Sequence, residues 1–205
     1  MKRSIFVVLL LLLISSFLFA CASKKVKPES LEEFAGINKS YVEQGSLSAS
    51  EYMPLNLGNT WVYRRDMLGE KGTLKVSIDK KQDGFFIDSQ GGVFKLDSIG
   101  LRDPKRYLLQ NPIHKGQEWK AQIRFNLAEH FVVVDDNAVV DLPAGTFKQC
   151  VVVKSRTQIK KGKYMVNRIT YAPGIGMVRT ETWLENEKQQ RAQQVLLELE
   201  SYIIP

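Results

Sequence analysis

In 205 residues the sequence holds only two cysteines and two histidines, and both scarcities exclude chemistry. A single pair of cysteines cannot frame a disulfide-stapled fold, least of all when one of them, Cys21, follows an apolar N-terminal run and leaves Cys150 alone in the rest of the chain. His114 and His130 stand in no H-E-x-x-H pattern, and neither lies beside a cysteine at metal-ligand spacing. No metal, no cofactor and no catalytic residue is therefore expected. The 14 glycines do not form a G-x-x-x-x-G-K-[ST] phosphate loop. Stretches with helical period are few and short, and no internal repeat or low-complexity segment is evident. Past residue 20 there is no long apolar run.

That one apolar run is informative. Lys2 and Arg3 open the chain, Ile5 to Ile14 is unbroken in apolar residues, and Phe17 to Ala20 leads into Cys21. The run is short for a stop-transfer helix, and its basic start and small residue before Cys21 fit a cleaved export signal over 1–20. An uncleaved membrane anchor with an incidental cysteine is the competing reading. Removal of Lys2 and Arg3 takes the 29 basic residues to 27 against 22 acids, a net charge of +5. This excess is modest and dispersed. It favours anionic surfaces weakly and is not the clustered stripe of a nucleic-acid binder.

The boundary Leu18-Phe19-Ala20-Cys21 resembles the lipobox of bacterial lipoproteins. The resemblance implies a diacylglyceryl group on the Cys21 sulfur, and after cleavage an added acyl chain such as palmitate. Two or more chains make such an attachment durable, each buried CH₂ contributing about 0.8 kcal/mol. Ala22, where an aspartate would imply retention at the inner membrane, implies the outer membrane facing the periplasm. Residues 21–50 read as a tether. Lys24, Lys25 and Lys27 are placed either to meet anionic headgroups or to be solvated. Ser30-Leu31-Glu32-Glu33 has capping-box spacing for a short helix near 31–35, which Gly36 would end.

From residue 51 to 205 the pattern is that of a β-rich domain. Leu74, Val76 and Ile78 alternate with polar neighbours, as do Trp119, Ala121, Ile123, Phe125 and Leu127, and Val195, Leu197 and Leu199. Turn residues divide these runs: Asp83-Gly84, Gly91-Gly92, Asp135-Asp136-Asn137, Pro143-Ala144-Gly145, Lys160 to Lys163, and Pro173-Gly174. Their spacing predicts about nine to eleven antiparallel strands. The fold class expected is mainly β, a single curved antiparallel sheet or half-barrel meander with little helix.

Three stretches, Tyr52 to Tyr63, Leu142 to Cys150 and Tyr171 to Val178, are similar to a group of uncharacterised bacterial envelope proteins. That group looks like the half-barrel architecture of the LolA, LolB and LppX type, which implies a curved sheet around an apolar concavity. Trp61, Tyr63, Trp119, Ile123, Phe125 and Trp183 fall on strand candidates and are the residues expected to line such a concavity, the competing role being ordinary core. Cys150, followed by three valines, is expected to be a small buried apolar residue. The Asp135 cluster lacks the spacing of a calcium loop. The lysines of 160–163 read as guards against edge pairing.

The functional expectation is a non-enzymatic, lipid-anchored periplasmic protein holding a lipid, an acylated polypeptide or another apolar ligand in its curved sheet. The alternative is a scaffold that recruits an envelope protein. The partners expected are a membrane, through the N-terminal lipid, and a lipid or envelope protein, with no nucleic acid.

Overall fold

The computed structural model describes residues 47–205. Cys21, the signal over 1–20, the short helix near 31–35 and nearly all of the tether lie outside the described residues.

A one-turn helix, α1 (Ala49–Tyr52), opens the described chain, with Glu51 accepting a hydrogen bond from the Ser48 amide. Twelve strands follow. Two are long, β1 (Thr60–Met67) and β2 (Glu70–Gln82). Four are short: β3 (Phe85–Asp88), β4 (Val93–Leu96), β5 (Gly100–Arg102) and β6 (Tyr107–Gln110). The remainder are β7 (Glu118–Arg124), β8 (Leu127–Leu142), β9 (Gly145–Lys160), β10 (Lys163–Ala172), β11 (Gly176–Asn186) and β12 (Arg191–Ile203). All neighbours are antiparallel, in the order β6-β5-β4-β3-β2-β1-β12-β11-β10-β9-β8-β7. The chain is thus two six-strand meanders sewn together where β1 meets β12. The sheet curves until its two edges, β6 and β7, nearly meet. The expected class is observed, with one strand more than the upper expectation.

The turn chemistry explains most of the meander. Asp83 and Gly84 both have positive φ, 52° and 78°, the pair of values that a two-residue type I′ hairpin requires. Pro173 and Gly174 form the tight turn between β10 and β11, closed by Ile175 N donating to Ala172 O at 3.2 Å. Two-residue connections also join β8 to β9 and β9 to β10.

Two expectations are corrected. Asp135-Asp136-Asn137 does not reverse the chain but lies inside β8 as a series of bulges. Both aspartates accept backbone hydrogen bonds, Asp135 from Asn137 N at 3.1 Å and Asp136 from Lys115 N at 2.8 Å. β9 meanwhile keeps pairing on both sides, so the extra residues bend the strand rather than end it. Residues 119–127 are likewise not one strand. Phe125 and Asn126 form the β7–β8 turn, and Leu127 begins β8.

Opposed residues share a face, and the inner face is apolar at one end. Trp61, Tyr63, Ile78, Leu101, Leu109, Phe131, Val133, Val151, Val153, Tyr171, Val178 and Leu199 belong to one buried cluster. Ala49, Tyr52, Met53 and Leu55 join it from the segment preceding β1. Burial of each Val, Leu, Ile or Phe side chain contributes about 1.5–3 kcal/mol relative to exposure.

The edges meet through side chains. Trp119 Nε1 on β7 donates to Tyr107 O on β6 at 2.9 Å. Arg106, just before β6, pairs with Glu129 of β8. From Glu129 a polar row crosses the inner face. Ser155 on β9 donates to Glu129 at 2.5 Å, Asn167 on β10 donates to Ser155 at 3.2 Å, and Thr182 on β11 donates to Asn167 at 2.9 Å. Tyr171 lies fully buried with its hydroxyl unpartnered. Burial raises that phenol well above its ordinary value, and Arg106 opposes the shift only in part.

Candidate functional site

The six aromatic and apolar residues expected to line a ligand groove do not form one surface. Trp61 and Tyr63 lie on the inner face and border a cavity of ≈ 150 Å³ with Met53, Ile78, Phe94 and Leu197. Trp119 lies on the inner face of β7, stacked on Phe131 with ring centroids 5.1 Å apart, and Ile123 sits half-buried at a bulge of the same strand. Trp183 is on the other face, as its pairing with Val166, and that of Val166 with Arg156, requires. Phe125 is 95% exposed at the β7–β8 turn. The alternation that placed Phe125 with Trp119 continues across a chain reversal, and that is why sequence spacing misassigned it.

The polar tips of the buried rings are also committed to the fold. Trp61 Nε1 donates to Ile175 O at 2.8 Å and Tyr63 Oη to Met177 O at 2.7 Å. These bonds tie β1 to the start of β11 across the closed end of the sheet. Burial raises the Tyr63 phenol far above its ordinary value, with Asp88 and Tyr171 adding to the shift, so it serves as a donor and not as an acid.

Cys150 is fully buried, and burial pushes its thiol up to about 11. The thiolate is the reactive form, so native Cys150 is expected to resist a thiol reagent at pH 8 and to react fully once urea unfolds the chain. The check is a DTNB time course in a Cys21→Ala background; rapid native labelling would contradict the packing. His114 sits in the β6–β7 loop, its ring nitrogen 3.2 Å from Lys115 O, and His130 is exposed on β8. Among the described residues no three His, Cys, Asp or Glu side chains converge as a metal-ligand set. No helix among them is long and apolar enough to cross a membrane.

The roomier depression, ≈ 590 Å³, lies on the outer face between the β7–β8 and β9–β10 turns. His130, Arg156, Lys160 and Lys161 supply its basic wall, and Leu127, Ile159 and Tyr164 its apolar part. Sequence reading took the lysines as edge guards and missed the groove, because it arises only when His130 is paired with Arg156 and Gln158 with Tyr164. Arg156 stacks on Tyr164, 3.6 Å from the ring centroid, and Arg191 on Trp183 at 4.8 Å. Between these stacks sits Glu185, buried, 3.4 Å from Arg156 and 3.2 Å from Arg191.

Burial alone would raise the Glu185 carboxyl. The Trp183 hydrogen bond, Lys154, Arg156 and Arg191 together outweigh it and hold the group below its ordinary value of 4.5. A depressed folded value adds stability above the unfolded range and loses it as pH falls through the folded one. Glu185→Gln is thus expected to cost about 1 kcal/mol at pH 7, a gap that narrows below pH 4.5. Urea titrations of both proteins at pH 7 and pH 3.5 check this; an unchanged gap would exclude the ionic contribution.

Among curated proteins none matches the sequence. Two solved structures are similar at low identity. One, from Bacteroides fragilis, is provisionally described as an exported protein with a YmcC-like fold. It is 17% identical with a TM-score of 0.43, over 74% of this chain and 98% of its own. The other, from Parabacteroides distasonis, is provisionally described as a lipoprotein. It is 14% identical with a TM-score of 0.39, over 77% of this chain and 100% of its own. Residues 120–196, from within β7 to the first half of β12, match the family model described as DUF3108-like, so this stretch of the sheet is similar to that family.

Proposed function

We propose that the chain is a lipid-anchored, non-catalytic interaction module of the bacterial envelope, tethered through Cys21 and acting by its outer surface. The observation that carries this reading is the close filling of the inner face around Trp61 and Tyr63. The cavity beside Trp61 and Tyr63 measures ≈ 150 Å³, half the lower bound of about 300 Å³ for pockets that enclose a ligand. The rings around it spend their donors on backbone carbonyls. This favours the scaffold alternative over the enclosed lipid carrier. The non-catalytic part rests on the sequence alone, where Cys150 and the two histidines fall in no catalytic motif. The outer-membrane, periplasm-facing location rests on the resemblance at Leu18–Ala22 alone.

One observation favours the carrier reading. Toward the hairpin end, the inner face shows Leu74, Leu184 and Val195 half-buried, with Met67 and Met165 exposed. An acyl chain in that open trough would need no closed cavity.

Mass spectrometry separates the readings. The interaction module requires a covalent lipid increment that disappears in Cys21→Ala, with no further apolar adduct under native conditions. One lipid that stays bound reproducibly to Cys21→Ala would restore the carrier.

A further inference from the structure

One end of the sheet combines an exposed aromatic tip with a basic groove. The turns β1–β2, β7–β8, β9–β10 and β11–β12 all lie there, as the pairings Met67 with Val195, Lys163 with Asn186 and Glu129 with Thr157 require. Phe125, 95% exposed, caps one turn, and Leu68, 73% exposed, caps another. The Phe125 turn is held rather than loose: the Gln122 side-chain amide donates to the carbonyls of both Arg124 and Phe125. Next to it lies the basic groove of His130, Arg156, Lys160 and Lys161, whose lining holds no acid. The nearest turn, β11–β12, carries Glu187 beside Gly162 but also Lys188. Large apolar residues are exposed at the opposite end too, Leu57 and Ile203. Residues 53–60 and 199–205, which carry them, contain no Lys or Arg, and the lysines of that end, Lys80, Lys81 and Lys115, stand on other segments. An exposed aromatic tip beside lysine and arginine is the chemistry of a protein surface that rests in the headgroup layer of an anionic bilayer, whereas the Leu68 turn lies between Asp66 and Glu70.

We propose that this hairpin end docks on an anionic bilayer surface, with Phe125 entering the interfacial layer and Arg124, Lys160 and Lys161 facing lipid phosphates. The occupant is a membrane rather than a free anion, because phosphate alone gives no reason to hold a phenyl ring in water. The proposal deepens the tethered-module reading and rests on it only for what brings the domain near a bilayer. Docking fixes the domain's orientation, turning the opposite end of the sheet away from the membrane.

The test uses the full chain, attached by its own N-terminus to vesicles whose lipids carry bromine on the acyl chains. Phe125→Trp reports the tip, Leu57→Trp the opposite end, and flotation reports attachment. The expected result is quenching of the Phe125→Trp emission, absent for Leu57→Trp, in vesicles containing phosphatidylglycerol but not in phosphatidylcholine alone. Adding Lys160→Gln and Lys161→Gln should shift the docking equilibrium roughly 30-fold toward the free state, with the thermal transition unchanged. Equal quenching of the two probes overturns the proposal. So does a chain that floats with neither probe quenched, which leaves the N-terminal attachment intact. A tip shielded by a bound envelope protein and unquenched by lipid also overturns it. If Cys21→Ala floats as well as the unaltered chain while the tip remains quenched, the lipid-attachment reading falls and the docking stands.

Discussion

Arg106→Ala is expected to lower the free energy of unfolding by about 3–5 kcal/mol, because it strands a buried carboxylate. Glu129 is 2% exposed, and its partners are Arg106 and Ser155. Arg106 also bonds Asp103 at 3.0 Å, so its guanidinium is held in place before it reaches Glu129. Without it one neutral donor faces the charge. Urea unfolding at pH 7 measures the effect, and a loss under about 1 kcal/mol would mean that the pair does not close the seam.

Gly100→Ala is the second large effect. Gly100 begins β5 opposite Gln110 of β6, with φ at +151°. A Cβ there would fall onto the backbone carbonyl oxygen of Leu109, with Gln110 Cα 3.0 Å away. Backbone cannot swing aside as a side-chain end can, so both the strain and the clash apply. The expected cost is about 3 kcal/mol or more. Gly176→Ala is the contrast: its Cβ would meet the Met53 sulfur at 2.8 Å, and a flexible thioether can yield. The two variants should rank in that order by urea midpoint and by protease cleavage between residues 100 and 110. The reverse order would show that β5 and β6 are loosely held.

The first prediction concerns the seam where β6 and β7 approach and the second the β5–β6 pair beside it, and the seam was the part least legible beforehand. Alternation at Leu74-Val76-Ile78 and Val195-Leu197-Leu199 is local, and the structure places both sets inward. Asp83-Gly84 and Pro173-Gly174 turn the chain because their backbone preferences demand it. The same logic failed at Asp135-Asp136-Asn137, where pairing with β9 outweighed turn propensity. It failed again at Phe125, where a reversal of two residues preserved the alternation of the run. The polar row from Arg106 through Glu129, Ser155, Asn167 and Thr182 joins five segments scattered over 76 positions of chain, and no spacing rule connects them.

Backbone preference and hydrophobic period act over a few neighbouring residues, so the strands, most of their turns and the burial of Cys150 follow from composition and order alone. Which ring faces the interior, whether that interior is empty, and where basic side chains gather depend on partners far apart in the chain. Strand register brings those partners together, and one face of a β-sheet differs from the other by a shift of a single residue. The packing of the inner face around Trp61 and Tyr63 and the basic, Phe125-tipped hairpin end are therefore products of pairing.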